Sequence, residues 1–135
     1  NPKLMDVAVP TNMRVGLAQN LVADKGWALS AEQVRSLLEQ QNIALIDLRE
    51  DRERKKQGII SGSLHVAYPR LEAELQEHGL LQQLAKDTGK GLVFFCAFGE
   101  RSAMAVQAAQ RAGLTDSRHM QGGLEAWKLA GAPLT

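Results

Sequence analysis

The sequence predicts a single α/β domain with a mostly parallel central sheet and helices on both faces. Two apolar, β-favouring runs, Ile43-Ala44-Leu45-Ile46 and Leu92-Val93-Phe94-Phe95, read as strands buried on both sides, as parallel sheets require. Segments with helical spacing and helix-end signals lie between and after them, so strands and helices alternate. The length of 135 residues, 44% of them apolar, suits one core.

Residues 1–26 carry Pro2, Pro10, Gly16 and Gly26 and little pattern. They read as an N-terminal arm or extra helix, with Met13 to Val22 as the helical stretch and Gly16 weakening it. The main domain is expected over 27–135. Trp27-Ala28-Leu29 is a short strand. Ser30 with Gln33 forms a capping box, and Val34, Leu37 and Leu38 give the helix behind it a buried stripe. After Ile43–Ile46 the chain enters Asp47-Leu48-Arg49-Glu50 and a run containing Asp51, Arg52, Glu53, Arg54, Lys55 and Lys56, read as a solvated charged loop.

Ser61-Gly62 is a turn and Ser63 to Ala67 a second short strand. Pro69 suits the first turn of a helix carrying Leu71 and Leu75. Leu80, Leu81 and Leu84 continue the helical pattern to Gly89. Leu92–Phe95 ends on Cys96. Ser102 is expected to open an Ala-rich helix running to about Ala112, with Gly113 as its stop. Ser117 to Met120 is a strand, Gly122-Gly123 a turn, and Leu124 to Leu129 a final helix.

Charge and composition exclude several functions. Sixteen basic and fifteen acidic side chains leave a net charge of +1, which points away from nucleic acid and anionic membranes. The longest strongly apolar run, Leu92 to Phe98, is far shorter than the about 20 residues that span a bilayer. No basic stretch followed by an apolar one marks a signal peptide, so a cytoplasmic location is expected. One cysteine forbids an internal disulfide. His65, His78 and His119 are too scattered to pair with it as ligands, so neither metal nor cofactor is expected.

Cys96 stands where a strand passes into a helix, the end of an open α/β sheet at which ligands bind. If Cys96-Ala97-Phe98-Gly99-Glu100-Arg101-Ser102 curls around the sulfur, the amides of Ala97 through Ser102 face inward. Such a ring at a helix N-terminus binds anions and favours a thiolate. Gly99 supplies a conformation closed to residues with a Cβ. Arg101 adds a cation able to grip an anionic oxygen. Ser102 caps the helix or donates to the sulfur, Ala97 keeps the base of the loop small, and Phe98 is exposed at its tip. Glu100 partly offsets Arg101 and disfavours doubly charged thiosulfate.

Four segments together resemble the rhodanese-like family. Ile43 to Glu50 looks like its strand ending in Asp-hydrophobic-Arg. Gly58-Ile59-Ile60-Ser61-Gly62-Ser63-Leu64-His65-Val66 is similar to its Gly-His-Ile-Pro-Gly-Ala segment, with Ile59 where His is common and Ser61 where Pro is common. Cys96 to Ser102 looks like the active-site loop, and Met120 to Trp127 like the closing Gly-Gly-hydrophobic-x-x-Trp helix. The resemblance covers about residues 27 to 134.

It implies a sulfurtransferase in which Cys96 takes sulfane sulfur from a small anion such as thiosulfate, or from a persulfide. Cyanide, an external thiol or a protein thiol then accepts it. Asp47 and Arg49 are expected to organise the fold near the site. One rival is a phosphatase or arsenate reductase built on a Cys loop closed by Arg. Only four residues separate Cys96 from Arg101, whereas phosphatase loops have five, and the shorter ring suits sulfur. A second rival is a non-catalytic binding module on the same scaffold.

Overall fold

The computed structural model describes residues 16–135. Five parallel strands form one sheet in the order β1-β5-β4-β2-β3. They are β1 (Ala28–Leu29), β2 (Ile43–Asp47), β3 (Leu64–His65), β4 (Gly91–Phe95) and β5 (Arg118–Met120). The helices are α1 (Leu17–Asp24), α2 (Ala31–Glu39), α3 (Asp51–Gln57), α4 (Leu71–Glu74), α5 (Leu80–Thr88), α6 (Glu100–Arg111) and α7 (Gly123–Leu129). A 3-10 turn at Tyr68–Arg70, with Pro69 inside it, leads into α4.

Every residue of β2 and β4 is buried, and successive side chains alternate between two apolar layers. Ala44, Ile46, Leu92, Phe94 and Cys96 face the layer built with α1, α4, α5 and α6. Ile43, Leu45, Val93 and Phe95 face the layer built with α2 and α7, where Trp127 is the largest side chain. The alternation explains the continuous apolar runs, since both faces of each central strand are dry. At the carboxyl end of the sheet, β2 leads outward to β3 while β4 leads the other way to β5. The loops after β2 and β4 therefore flank the switch point at which such sheets bind ligands.

Several elements differ from the sequence expectation. The N-terminal helix runs Leu17–Asp24, because Gly16 sits in the left-handed region at φ 92° and acts as its N-cap. Met13 to Val15 lie outside the described residues. Ala18 and Val22 of α1 belong to the same apolar layer as Cys96.

The run expected as a charged loop is helix α3. None of its residues is buried, so it has no apolar stripe to reveal it. It is held instead by its ends. The Glu53 carboxylate accepts the Glu50 N–H at 2.9 Å, acids occupy the first turn and Arg54, Lys55 and Lys56 the last.

Helix α6 opens at Glu100 rather than Ser102. Gly99, at φ 107°, is its N-cap, and the Gly99 carbonyl accepts the Ala103 N–H. Ser102 is thus inside the helix and fully buried, not its cap. β3 is shorter than the expected Ser63 to Ala67. Beyond it, Val66 and Tyr68 still donate to the carbonyls of Asp47 and Leu48. Among the described residues, no helix is long and apolar enough to cross a membrane.

Candidate active site

The site is built from the end of β4. The Cys96 and Ala97 carbonyls turn toward α7, where they accept the N–H groups of Leu124 and Glu125 at 2.8 and 3.1 Å. Gly123 makes this approach feasible. A Cβ there would lie 2.5 Å from the Cys96 carbonyl oxygen, and its φ of 63° is one that side chains rarely adopt. With the carbonyls committed outward, amides face the sulfur. The Gly99 N–H donates to Cys96 Sγ at 3.1 Å and the Ser102 N–H at 3.4 Å. Both belong to the N-terminus of α6, whose dipole favours negative charge at that point.

Cys96 itself is fully buried and Ala97 nearly so, while Phe98 stands 58% exposed at the tip. Gln19 of α1 lies against the loop, since a Cβ on Gly99 would come within 2.5 Å of its Oε1. Tyr68 packs against the apolar layer that contains Cys96. Burial, and then the charge of Cys96, raise the proton affinity of its hydroxyl above that of an ordinary tyrosine.

Arg101 is placed differently from the expectation. Its guanidinium does not wait free at the rim but grips Glu53 with two bonds of 2.9 and 2.8 Å. The Glu53 carboxyl is pulled from 4.5 to about 2, chiefly by Arg101; burial opposes this and the Glu50 N–H assists it. Arg101 in turn holds its proton more tightly than usual, first because of Glu53, with the charge of Cys96 adding to the effect. The carboxylate that offsets Arg101 directly is therefore Glu53 on α3. Glu100, the residue the sequence suggested, sits half-buried in the first turn of α6.

Two functional candidates were not legible beforehand. Glu53 lies 48 residues from Arg101 in sequence, inside an element with no apolar pattern. Only its capping-box spacing from Glu50 offers a signal. His119 is fully buried on β5, and its Nδ1 lies 2.9 Å from Ser102 Oγ. Burial pushes its pKa down from 6.5 to about 4, which keeps the ring neutral at physiological pH.

Asp47 and Arg49 form a fully buried ion pair below the neighbouring loop. Arg49 Nη2 and Nε meet the two carboxylate oxygens at 2.8 and 3.0 Å, and Arg54 Nε adds a third bond at 3.2 Å. Arg49 also donates to the Gly58 carbonyl, and its guanidinium lies over the Phe95 ring. Neither side chain has a bond to Cys96 among those described; the pair braces the β2–α3 connection that carries Glu53. Among the described residues, no three His, Cys, Asp or Glu side chains group as a metal site would need.

A family model of the rhodanese-like domain matches residues 30–130. The chain belongs to the rhodanese-like domain family. It is 31% identical over 100 residues to the mouse thiosulfate sulfurtransferase/rhodanese-like domain-containing protein 3, covering 70% of this chain and 64% of that protein. An uncharacterised protein of Synechocystis is 30% identical over 105 residues, covering 78% and 54%. The chain thus spans less than two thirds of the length of either relative.

Among solved structures, the human single-domain sulfurtransferase superposes with a TM-score of 0.63 at 31% identity, covering 76% of this chain and 96% of that one. A Rhodopseudomonas palustris protein of unknown function, described as a possible tyrosine phosphatase, superposes with a TM-score of 0.79 at 26% identity, covering 95% and 98%.

Proposed function

We propose that this rhodanese-like domain is a sulfurtransferase that carries sulfane sulfur as a Cys96 persulfide. The observation that carries the reading is the sulfur's position: Sγ sits at the end of the central strand and accepts the Gly99 and Ser102 amides. With thiosulfate as donor, the Cys96 thiolate attacks the sulfane sulfur. The new Sγ–S bond forms as the donor S–S bond breaks, and its electron pair leaves with sulfite. An acceptor nucleophile, cyanide or an external or protein thiolate, then attacks the outer sulfur and returns Cys96 to the thiolate. Two such steps give ping-pong kinetics. The inward amides hold the anionic sulfur through both steps without relying on a mobile cation.

Arg101 supports transfer by fixing the helix start rather than by clasping the donor. Its charge is matched by Glu53, so a dianionic donor gains little from it. A thiol persulfide therefore suits the site at least as well as thiosulfate. Because Cys96 is fully buried, the rim near Phe98 must part to admit the donor sulfur. Dependence on an external thiol fits a compartment that keeps thiols reduced, the cytoplasm.

The test is mass spectrometry after incubation with thiosulfate, beside an aryl phosphate hydrolysis assay. A gain of about 32 Da on Cys96, the mass of one covalently held sulfur, is expected and vanishes in Cys96→Ser. Phosphate release without that gain would overturn the reading in favour of a Cys-loop phosphatase. That rival is the one the Rhodopseudomonas neighbour's description raises. The four-residue spacing and the engaged Arg101 speak against it.

A further inference from the structure

Behind the Cys96 sulfur lies a buried polar chain that the amide cradle does not explain. Ser102 Oγ is 3.7 Å from Cys96 Sγ, 3.3 Å from the Gly99 carbonyl oxygen and 2.9 Å from His119 Nδ1. Ser102 and His119 are both fully buried. The other ring nitrogen, His119 Nε2, is buried with no hydrogen-bond partner among the described residues. A serine hydroxyl has one proton, so its three neighbours compete for it.

The histidine tautomer decides that competition. With the proton on Nε2, a buried N–H would be left without an acceptor, and Nδ1 would draw the Ser102 proton toward the ring and away from the sulfur. With the proton on Nδ1, the ring donates to Ser102 Oγ, and only a lone pair on Nε2 goes unpaired. An orphaned buried N–H is the rarer and costlier outcome. The hydroxyl proton is then released toward Gly99 O or Sγ. Once the sulfur is anionic, the charge-assisted bond to Sγ is the stronger of the two.

We propose that His119 is a positioning residue for sulfur transfer: its Nδ1–H turns the Ser102 hydroxyl toward Cys96 Sγ, adding a third donor to the thiolate. The inference rests on the sulfurtransferase reading for its role in turnover, but the effect on the thiolate exists without it. Burial holds the ring neutral, with a pKa of about 4, so the tautomer persists at working pH.

Four variants test this: His119→Leu, His119→Asn, Ser102→Ala and the His119→Leu/Ser102→Ala double. Asn keeps a donor near the Nδ1 position and Leu has none. Two rates are read at one neutral pH: alkylation of Cys96 by iodoacetamide, and steady-state transfer from thiosulfate to cyanide. Thermal unfolding of each variant confirms that it is folded. Loss of one hydrogen bond to a charged group predicts about 10-fold slower alkylation and lower kcat in His119→Leu and in Ser102→Ala, with KM held. The double variant is no slower than either single, because both act through one proton. His119→Asn recovers most of the lost rate.

Unchanged alkylation and kcat in folded His119→Leu would overturn the proposal. So would losses that multiply in the double variant, or a His119→Asn as slow as His119→Leu. If the parent transfers no sulfur, the function proposed above fails, while the alkylation series still decides the role of His119.

Discussion

Glu53→Gln removes the charge that anchors Arg101 while preserving the side chain's shape. In the parent, Arg101 draws the Glu53 carboxyl from 4.5 down to about 2. Each tenfold change in proton affinity is worth about 1.4 kcal/mol, so the full shift sets a ceiling of about 3 kcal/mol. Both side chains keep 26% of their surface in water. Solvent screens a pair at that exposure, which reduces the expected cost of the substitution to about 1–2 kcal/mol at neutral pH.

A carboxylate whose folded pKa is lowered contributes its stability above the unfolded value and loses it as pH falls toward the folded value. The window here runs from 4.5 to about 2. At pH 3 about two fifths of the contribution remains by the same linkage. Urea unfolding of parent and variant at pH 7 and pH 3, followed by tryptophan fluorescence, reads both numbers. A gap that is absent at pH 7, or equally large at pH 3, would refute an ionised Glu53 as the anchor of the loop.

Two further substitutions probe the supports of the site. Gly123→Ala places a methyl group 2.5 Å from the Cys96 carbonyl oxygen at a φ of 63°. A loss of about 1–3 kcal/mol for the strained backbone, with a larger proportional loss of transfer activity, is expected in denaturation and cyanide assays. Arg49→Ala strands a fully buried Asp47 with Arg54 as its remaining guanidinium partner. That costs about 3–5 kcal/mol in urea unfolding, and Asp47→Leu combined with Arg49→Met recovers much of it because no buried charge is left alone.

What the sequence discloses follows from where each constraint lies. β2 and β4 are legible because burial on both faces leaves an unbroken apolar run. The Cys96 loop is legible because its parts are consecutive. α3 is not, since a helix with no buried residue has no hydrophobic period, and its solvated charges resemble those of a loop. Ser102 misleads in a specific way. Serine favours N-caps, yet Gly99 takes the cap by adopting φ 107°, and the hydroxyl is drawn inside toward His119. The Arg101–Glu53 and Ser102–His119 pairs span 48 and 17 residues. Only the sheet order brings their strands and loops together, so no local pattern announces them.

The supports share a logic that bears on how the sulfur is stabilised. α7 fixes the loop carbonyls, α3 fixes Arg101 and β5 fixes Ser102, so the loop is pinned from elements that follow β5, β2 and α6 in the chain. The one guanidinium of the loop is neutralised by its own anchor. The groups that touch Sγ directly are therefore dipoles: the Gly99 and Ser102 amides at the α6 terminus and, on the proposal above, the Ser102 hydroxyl, with Arg101 acting on the sulfur only through its field. Dipoles held this way need no reorganisation when charge develops on sulfur and attract a dianion less than a free cation would. On the proposed function, a site of that kind gains most from a donor whose charge is small and whose leaving group departs as a thiolate, as a thiol persulfide does. If the proposed transfer holds, geometry, more than net charge, sets which sulfur reaches Cys96.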